Sequence, residues 1–262
     1  GNYRAAQGLD HRHGKPPAED GSRTSGYEKI TMETNDILNK FHLISQAKKG
    51  VILINAYKGI HLEPDATISN ISNSTVTFNV HDYQLASFAF QKQIFIQNDL
   101  FPETVKAKIK EINIVKKYVV LTDFEYVTVP IVKRKATRVQ PEGPIEVTVF
   151  EHGDAGIKAE LVDISECGIS VCMTPPLLLY AKVYIHLQLL DTKTNTHLKL
   201  ELPGTVLHTI QEDDPQGGIR HRVGMQIFPD EHTKRGITEY VSRQQAKSLN
   251  ELKRYYDEQA LQ

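Results

Sequence analysis

The 262-residue sequence is poor in cysteine and has no long apolar run, and each shortage excludes a class of protein. Its two cysteines, Cys167 and Cys172, are too few for a disulfide framework, and the N-terminal residues show no apolar secretory signal. The longest apolar run, around residues 177–181, is far shorter than the roughly 18 residues that span a bilayer. We therefore expect a cytoplasmic protein without a membrane span.

An excess of charge of either sign is also lacking. Lys and Arg together number 31 and Asp and Glu number 32, which gives a formal net charge of −1. A chain so nearly neutral has no overall field that would gather polyanions. Nucleic-acid packaging and polybasic membrane adhesion are therefore poor hypotheses, and any anion site must be a local concentration of charge.

Common catalytic motifs are missing as well. The sequence has no serine nucleophile elbow, no His-Glu-x-x-His and no Cys-x-x-Cys. Gly8 and Gly14 stand one residue too far apart for a phosphate loop, and Pro16 takes the place of the Ser or Thr that would hold magnesium. His11 and His13 are too few for a metal site. We expect no enzymatic activity, no metal and no cofactor.

Short segments of alternating apolar and polar residues make up most of the chain. They occur between residues 51 and 121 and again between residues 145 and 228, separated by Gly, Asn and Asp. Because the length favours about two domains, this pattern predicts a mainly β fold with two tandem, small antiparallel β-barrels. Apolar residues at helical spacing predict a short helix at about 34–49 and an amphipathic helix at about 231–259.

The predicted segments follow from these patterns. The C-terminal helix, for which an interruption near Ser248 is left open, carries an apolar stripe that packs either on its own barrel or on a second copy or partner. We divide the chain into a disordered tail (1–27), an N-terminal barrel domain (28–130), an interdomain linker (131–138), a second barrel domain (139–230) and the C-terminal helix (231–262).

The two predicted barrels resemble each other in sequence. At an offset of 93 residues and without gaps, residues 50–57 align with 143–150, and residues 70–78 align with 163–171. The alternative is that both stretches reflect generic strand and turn preferences. The copies differ at the positions whose side chains are best suited to bind a ligand. The first copy has Phe41, Ser45, Asn70 and Thr75 where the second has Arg134, Arg138, Asp163 and Gly168.

A local concentration of positive charge lies between the barrels. Residues 133–138 hold four cations in six positions, among them Lys133, Arg134 and Arg138. A spacing of four places the two arginines on one side of either a helix or a strand, so their guanidinium planes can converge. Such planes suit phosphate oxygens and the O6 and N7 atoms of guanine. The alternative is an ordinary solvated linker.

A polar turn follows 25 residues after Arg138. Asp163 and Ser165 are two apart in a strand and face the same way, and Gly168 can adopt a positive φ that allows a turn or the close approach of a ligand. A carboxylate and a hydroxyl can bind the polar edge of a base and can orient arginines. Taken alone, Asp-x-Ser-x-x-Gly is also the composition of an ordinary turn.

Together these residues resemble the signature of the PilZ family of cyclic di-GMP receptors, Arg-x-x-x-Arg followed by Asp/Asn-x-Ser-x-x-Gly. The match comprises Arg134, Arg138, Asp163, Ser165 and Gly168, and residues 221–228 resemble the closing strand of the family. The resemblance covers about residues 131–240. The preceding barrel makes the whole chain similar to the two-domain flagellar-brake type.

The resemblance implies a ligand and a role for each residue. Arg134 and Arg138 would grip guanine and phosphate of cyclic di-GMP, Asp163 and Ser165 would contact a guanine, and Gly168 would permit close approach. The first barrel would not bind. Proteins of the brake type often carry Gln-Arg immediately before the motif arginine, where this chain has Val132 and Lys133. Whether one or two ligands bind is therefore left open, with Lys133 supplying charge but no stacking plane.

The implied function is that of a bacterial second-messenger receptor in which ligand binding reorients the two domains. The expected protein partner belongs to the flagellar motor, to polysaccharide synthesis or to another output such as adhesion, and a homodimer is left open. No nucleic-acid polymer is expected as a partner. The alternative is a ligand-independent adaptor with a degenerate PilZ site.

Overall fold

Two closed antiparallel β-barrels follow one another along the chain and are flanked by helices. The computed structural model describes residues 22–128, 136–151, 155–191, 196–214 and 217–261. Three helices occur in this described part: α1 (Ser22–Gln46), α2 (Asp82–Phe88) and α3 (Glu231–Ala260). The predicted mainly β class with tandem barrels is confirmed.

The first barrel contains six strands and an additional short one. The strands are β1 (Val51–Tyr57), β2 (Ile60–Leu62), β3 (Asp65–Ile71), β4 (Val76–Asn79), β5 (Gln93–Gln97), β6 (Thr104–Asn113) and β7 (Tyr118–Val127). They pair in the order β1-β3-β4-β7-β6-β5, and antiparallel pairing of β5 with β1 closes the barrel. Strand β2 forms a hairpin with β1 outside this ring.

The second barrel repeats this arrangement. Its strands are β8 (Glu146–Glu151), β9 (Ile157–Ser165), β10 (Gly168–Met173), β11 (Lys182–Asp191), β12 (Thr196–Asp213) and β13 (Ile219–Ile227). They pair in the cyclic order β8-β9-β10-β13-β12-β11, which is the order of the first barrel. Closure of both sheets leaves each barrel without an open edge of the kind that invites aggregation.

The 93-residue offset extends to an irregularity of the strands. In the β3–β4 pair, the register shifts between Ile68 and Asn70, so that Ser69 is an extra residue. In the β9–β10 pair, it shifts between Leu161 and Asp163, so that Val162 is extra, 93 residues later. A bulge is a specific structural feature of a strand and not a generic consequence of composition. Their coincidence supports the interpretation of the barrels as related copies.

Helix α1 begins earlier than predicted. It starts at Ser22, so the last part of the predicted disordered tail is helical, and the helix is longer than the predicted 34–49. No proline occurs between residues 22 and 46, and the single glycine there, Gly26, costs a helix only about 1 kcal/mol. The apolar stripe of α1 enters the core of the first barrel, where the ring of Phe41 meets those of Phe78 and Phe124 edge to face.

Helix α3 is continuous through Ser248, so the interruption left open at that residue does not occur. Asp230 caps its N-terminus by accepting a hydrogen bond of 2.7 Å from the backbone N–H of Thr233. The first half of the helix packs into the second barrel through Ile237 and Tyr240, and burial raises the pKa of Tyr240 to about 12. The stripe thus packs on its own barrel, as one of the two predicted alternatives required, but only in part.

The second half of α3 packs on the first barrel. Leu252 and Tyr256 are buried together with Ala86 of α2. The ring of Tyr255 lies 5.1 Å from that of Phe90, just beyond the end of α2. One helix therefore spans both barrels. Within the described residues, no helix is both long enough and apolar enough to cross a membrane.

Candidate functional site

The bulge in β9 decides which side chains face out of the second barrel. Before it, Leu161 belongs to the barrel core, and after it the core position is Ile164, three residues later rather than two or four. Side chains in a regular strand alternate between faces, so the extra Val162 shifts the alternation by one. Asp163 and Ser165 are consequently placed on the outer face of the barrel.

Two arginines converge on the carboxylate of Asp163. Arg138 donates from Nη1 to Oδ1 at 3.2 Å, and Arg222 donates from Nη2 to Oδ2 at 2.8 Å. Arg222 also donates from Nε to the hydroxyl of Ser170 at 3.1 Å. Asp163 is only 5% exposed, whereas the side chains of Arg138 and Arg222 are 27% and 34% exposed. Two guanidinium groups against one carboxylate leave a local excess of positive charge open to solvent.

Ser165 and Gly168 complete the floor beside this cluster. The hydroxyl of Ser165 donates to the carbonyl oxygen of Gly168 at 3.2 Å. A Cβ atom added at Gly168 would lie 3.7 Å from Arg138 Nη2 and 3.6 Å from Ser165 Oγ. Gly168 does not adopt the positive φ that glycine permits, because this residue begins strand β10. Its missing side chain instead lets the guanidinium of Arg138 lie close to the backbone.

A row of residues extends from Asp163 across the neighbouring strands. Asp163 pairs with Ser170, Ser170 with Gly224, and Gly224 with His208. A Cβ at Gly224 would collide with the imidazole of His208, so the ring lies directly against the backbone there. The row thus joins four strands of the barrel on its outer face.

The positive charge of this cluster affects the pKa of His208. Although the residue as a whole is exposed, partial burial lowers the pKa of His208 below its ordinary value of 6.5, and the positive charges of Arg138 and Arg222 lower it further. At neutral pH the imidazole is therefore uncharged. It provides a flat, neutral surface at the edge of a positively charged site.

The structure brings together four of the six predicted site residues: Arg138, Asp163, Ser165 and Gly168. The other two, Lys133 and Arg134, lie outside the described residues. In the first barrel, Phe41, the counterpart of Arg134, is fully buried in the core. Among the described residues, no group of three or more His, Cys, Asp or Glu side chains could hold a metal ion.

Three members of the cluster were not predicted from the sequence: Arg222, Ser170 and His208. Arg222 lies within the segment recognised as a closing strand, where it alternates with the core residues Val223 and Met225. A charged residue at an outward position of a strand is ordinary on a solvent-exposed face. The sequence alone gave no signal that this face is shared with Asp163.

The arrangement is chemically suited to a small anion that also carries a polar, planar group. The guanidinium groups offer paired donors for phosphate oxygens or for acceptor atoms of a base, and the carboxylate accepts from N–H groups.

Part of the chain matches the sequence model of a described domain family. Residues 132–243 match the sequence model of the PilZ domain, close to the predicted 131–240. No curated protein matches the chain. Similar solved structures include YcgR of Escherichia coli in complex with c-di-GMP, at 10% identity and a TM-score of 0.41, covering 85% of this chain and 96% of YcgR.

Two further solved structures are similar to the chain. The Bacillus subtilis inhibitor of motility MotI/DgrA has 12% identity and a TM-score of 0.38, with 76% of this chain and 97% of MotI covered. The MrkH–c-di-GMP complex of K. pneumonia has 10% identity and a TM-score of 0.39, with 83% of this chain and 96% of MrkH covered.

Proposed function

We propose that this chain, which contains a PilZ domain at residues 132–243, is a cytoplasmic receptor for cyclic di-GMP. The observation that carries the proposal is the sharing of Asp163 by Arg138 and Arg222, beside Gly168. The family match and this geometry support the same ligand class. The proposal assigns the chain no catalytic role and no cofactor.

Each group has a role that follows from its chemistry. Arg138, together with Arg134, pairs with phosphate oxygens of the dianionic ligand or with O6 and N7 of a guanine. Asp163 accepts hydrogen bonds from N–H groups of a guanine, and Ser165 adds a hydroxyl at the same edge. Lys133 contributes charge, and the first barrel contributes no ligand group. A small ligand gripped by converging groups needs no basic surface, which suits a net charge of −1.

Binding requires a rearrangement of the cluster, because Asp163 is already paired with both arginines. The ligand draws Arg138 and the linker at 131–138 into new contacts, and the two barrels change their relative orientation. A ligand shifts such an equilibrium only through its different affinity for the two arrangements. A protein partner in motility, polysaccharide synthesis or adhesion then distinguishes the bound form.

Isothermal titration calorimetry with cyclic di-GMP tests the site. The wild type should bind, whereas Arg134→Ala, Arg138→Ala and Asp163→Asn should each weaken binding at least tenfold, which corresponds to about 1.4 kcal/mol. The matched control is Asn70→Ala, since Asn70 is the counterpart of Asp163 in the first barrel. The same titration gives the number of ligands per chain. Equal binding by all variants, or by none, would refute the site.

The self-paired state of Asp163 also favours a second candidate function. A carboxylate that is almost fully buried and bound by two arginines can serve structure alone. The chain would then be an adaptor that docks a protein partner without ligand. X-ray scattering distinguishes the candidates, because an unchanged profile on adding cyclic di-GMP would favour the adaptor.

A further inference from the structure

The turn between β1 and β2 of the first barrel contacts the main chain of Arg138. This β1–β2 turn consists of Lys58 and Gly59, whose φ angles are +47° and +85°. A Cβ atom at Gly59 would stand 3.1 Å from the carbonyl oxygen of Arg138. Two residues further on, the backbone N–H of Gln140 donates to the carbonyl oxygen of Lys58 at 3.0 Å. The approach is tight because Gly59 has no side chain.

The opposite side of the same segment is fixed to the second barrel. Val139 and Ile164 exchange two backbone hydrogen bonds of 3.0 Å each, one residue beyond Arg138 and one residue beyond Asp163. The main chain at residues 138–140 is therefore held between β9 and the β1–β2 turn. The guanidinium of Arg138 reaches Asp163 from this fixed position.

The turn is itself held in place by α3. The ammonium of Lys58 pairs with the carboxylate of Glu251 at 2.5 Å, and this hydrogen bond raises the pKa of Lys58. Next to it, Lys247 of α3 pairs with Glu142 at 2.6 Å. Directly after the turn, Ile60 is buried in the core of the second barrel, although it belongs to a strand of the first. The turn is thus fixed on both flanks.

We propose that the β1–β2 turn is a positioning element of the ligand site. By fixing the backbone of Arg138, it limits the positions that the guanidinium can reach, both when it is paired with Asp163 and when it turns to a ligand. The first barrel therefore takes part in ligand affinity although it supplies no group that touches the ligand. This inference rests on the proposed function, and it assigns Gly59 a role that depends on its lack of a side chain and not only on its backbone angle.

Three substitutions in the full chain separate the contact from the backbone angle. Gly59→Ala adds a Cβ against Arg138 and also strains the positive φ, whereas Gly59→Asn adds the same Cβ but tolerates that angle better. The matched control is Gly217→Ala, because Gly217 has a φ of +94° and nothing within 4 Å of an added Cβ. None of the three replaces a side chain of the proposed ligand site.

Calorimetry should show that the affinity for cyclic di-GMP is reduced roughly tenfold in both Gly59 variants. The affinity of Gly217→Ala should stay within about twofold of that of the wild type. The titrations are run well below the melting temperature of every variant, which excludes a general loss of stability as the cause. Affinity restored to the wild-type value in Gly59→Asn, or equal loss in Gly217→Ala, would overturn the inference.

Amide hydrogen exchange supplies a measurement that needs no ligand. In Gly59→Ala, the amides of Val139 and Gln140 should exchange faster than in the wild type, while in Gly217→Ala they should not change. If the wild type fails to bind cyclic di-GMP, the proposed function is wrong, and this exchange still decides whether the turn positions residues 138–140. Unchanged exchange in Gly59→Ala would refute that positioning.

Discussion

Arg222 donates from Nη2 to Oδ2 of Asp163 across 2.8 Å, although 59 residues separate them in the chain. This contact fixes one oxygen of the carboxylate and turns the other toward Arg138. Because the same guanidinium also binds Ser170, it joins β9, β10 and β13 on the outer face of the barrel. Arg222 therefore orients Asp163 for whatever the site binds.

Replacing Arg222 by lysine should damage both the fold and the site. The ammonium keeps the charge but cannot reach Asp163 and Ser170 at once, since it lacks the planar fork. We expect a loss of about 1 kcal/mol in the free energy of unfolding, measured by urea denaturation, together with several-fold weaker binding of cyclic di-GMP. Arg235→Lys, at an exposed position of α3, is the control. Identical behaviour of the two variants would contradict this role.

His208 should make the stability of the protein depend on pH in mildly acidic solution. Its folded pKa is lowered below the unfolded value of 6.5, so the unfolded state binds more protons in that window. The stabilising contribution is complete above the unfolded pKa and is lost as the pH falls through the folded pKa. In His208→Asn, the melting temperature should therefore depend less steeply on pH between about pH 7.5 and about pH 5. Parallel curves for wild type and variant would contradict this assignment.

Leu252 should hold the two barrels together. It is 1% exposed and packs with Ala86 and Tyr256, so Leu252→Ala should leave a cavity and cost about 2 to 4 kcal/mol of unfolding free energy. X-ray scattering should also show a broader distribution of distances between the barrels. The control is Lys253→Ala, an exposed neighbour on the same helix. A loss of stability without any change in scattering would show that Leu252 does not restrain the barrels.

Much of the fold could be predicted because barrel strands carry their pattern locally. Helix α2 was missed for a physical reason, since five of its seven residues, from Gln84 to Phe88, are buried. So short and so fully buried a helix shows neither a polar face nor a repeated apolar spacing. The early start of α1 and the continuity of α3 were missed because both depend on extended helix formation without a strong stop signal.

Only the site residues that belong to one sequence motif could be predicted. Arg138, Asp163, Ser165 and Gly168 fall within a short motif, and the structure brings these four together. The contribution of Arg222 depends on the pairing of β13 with β10, and that of Gly59 depends on how the two barrels pack. Neither relationship leaves a local trace in the sequence.

The extra residue in β9 can be removed without turning the site inward. Deleting Val162 would join Leu161 to Asp163 in a regular strand, in which Ile164 still faces the core and Asp163 and Ser165 still face outward. Substitution at that position keeps the same faces. Tolerance of both replacement and deletion at Val162 would mark a residue that the orientation of the site does not require.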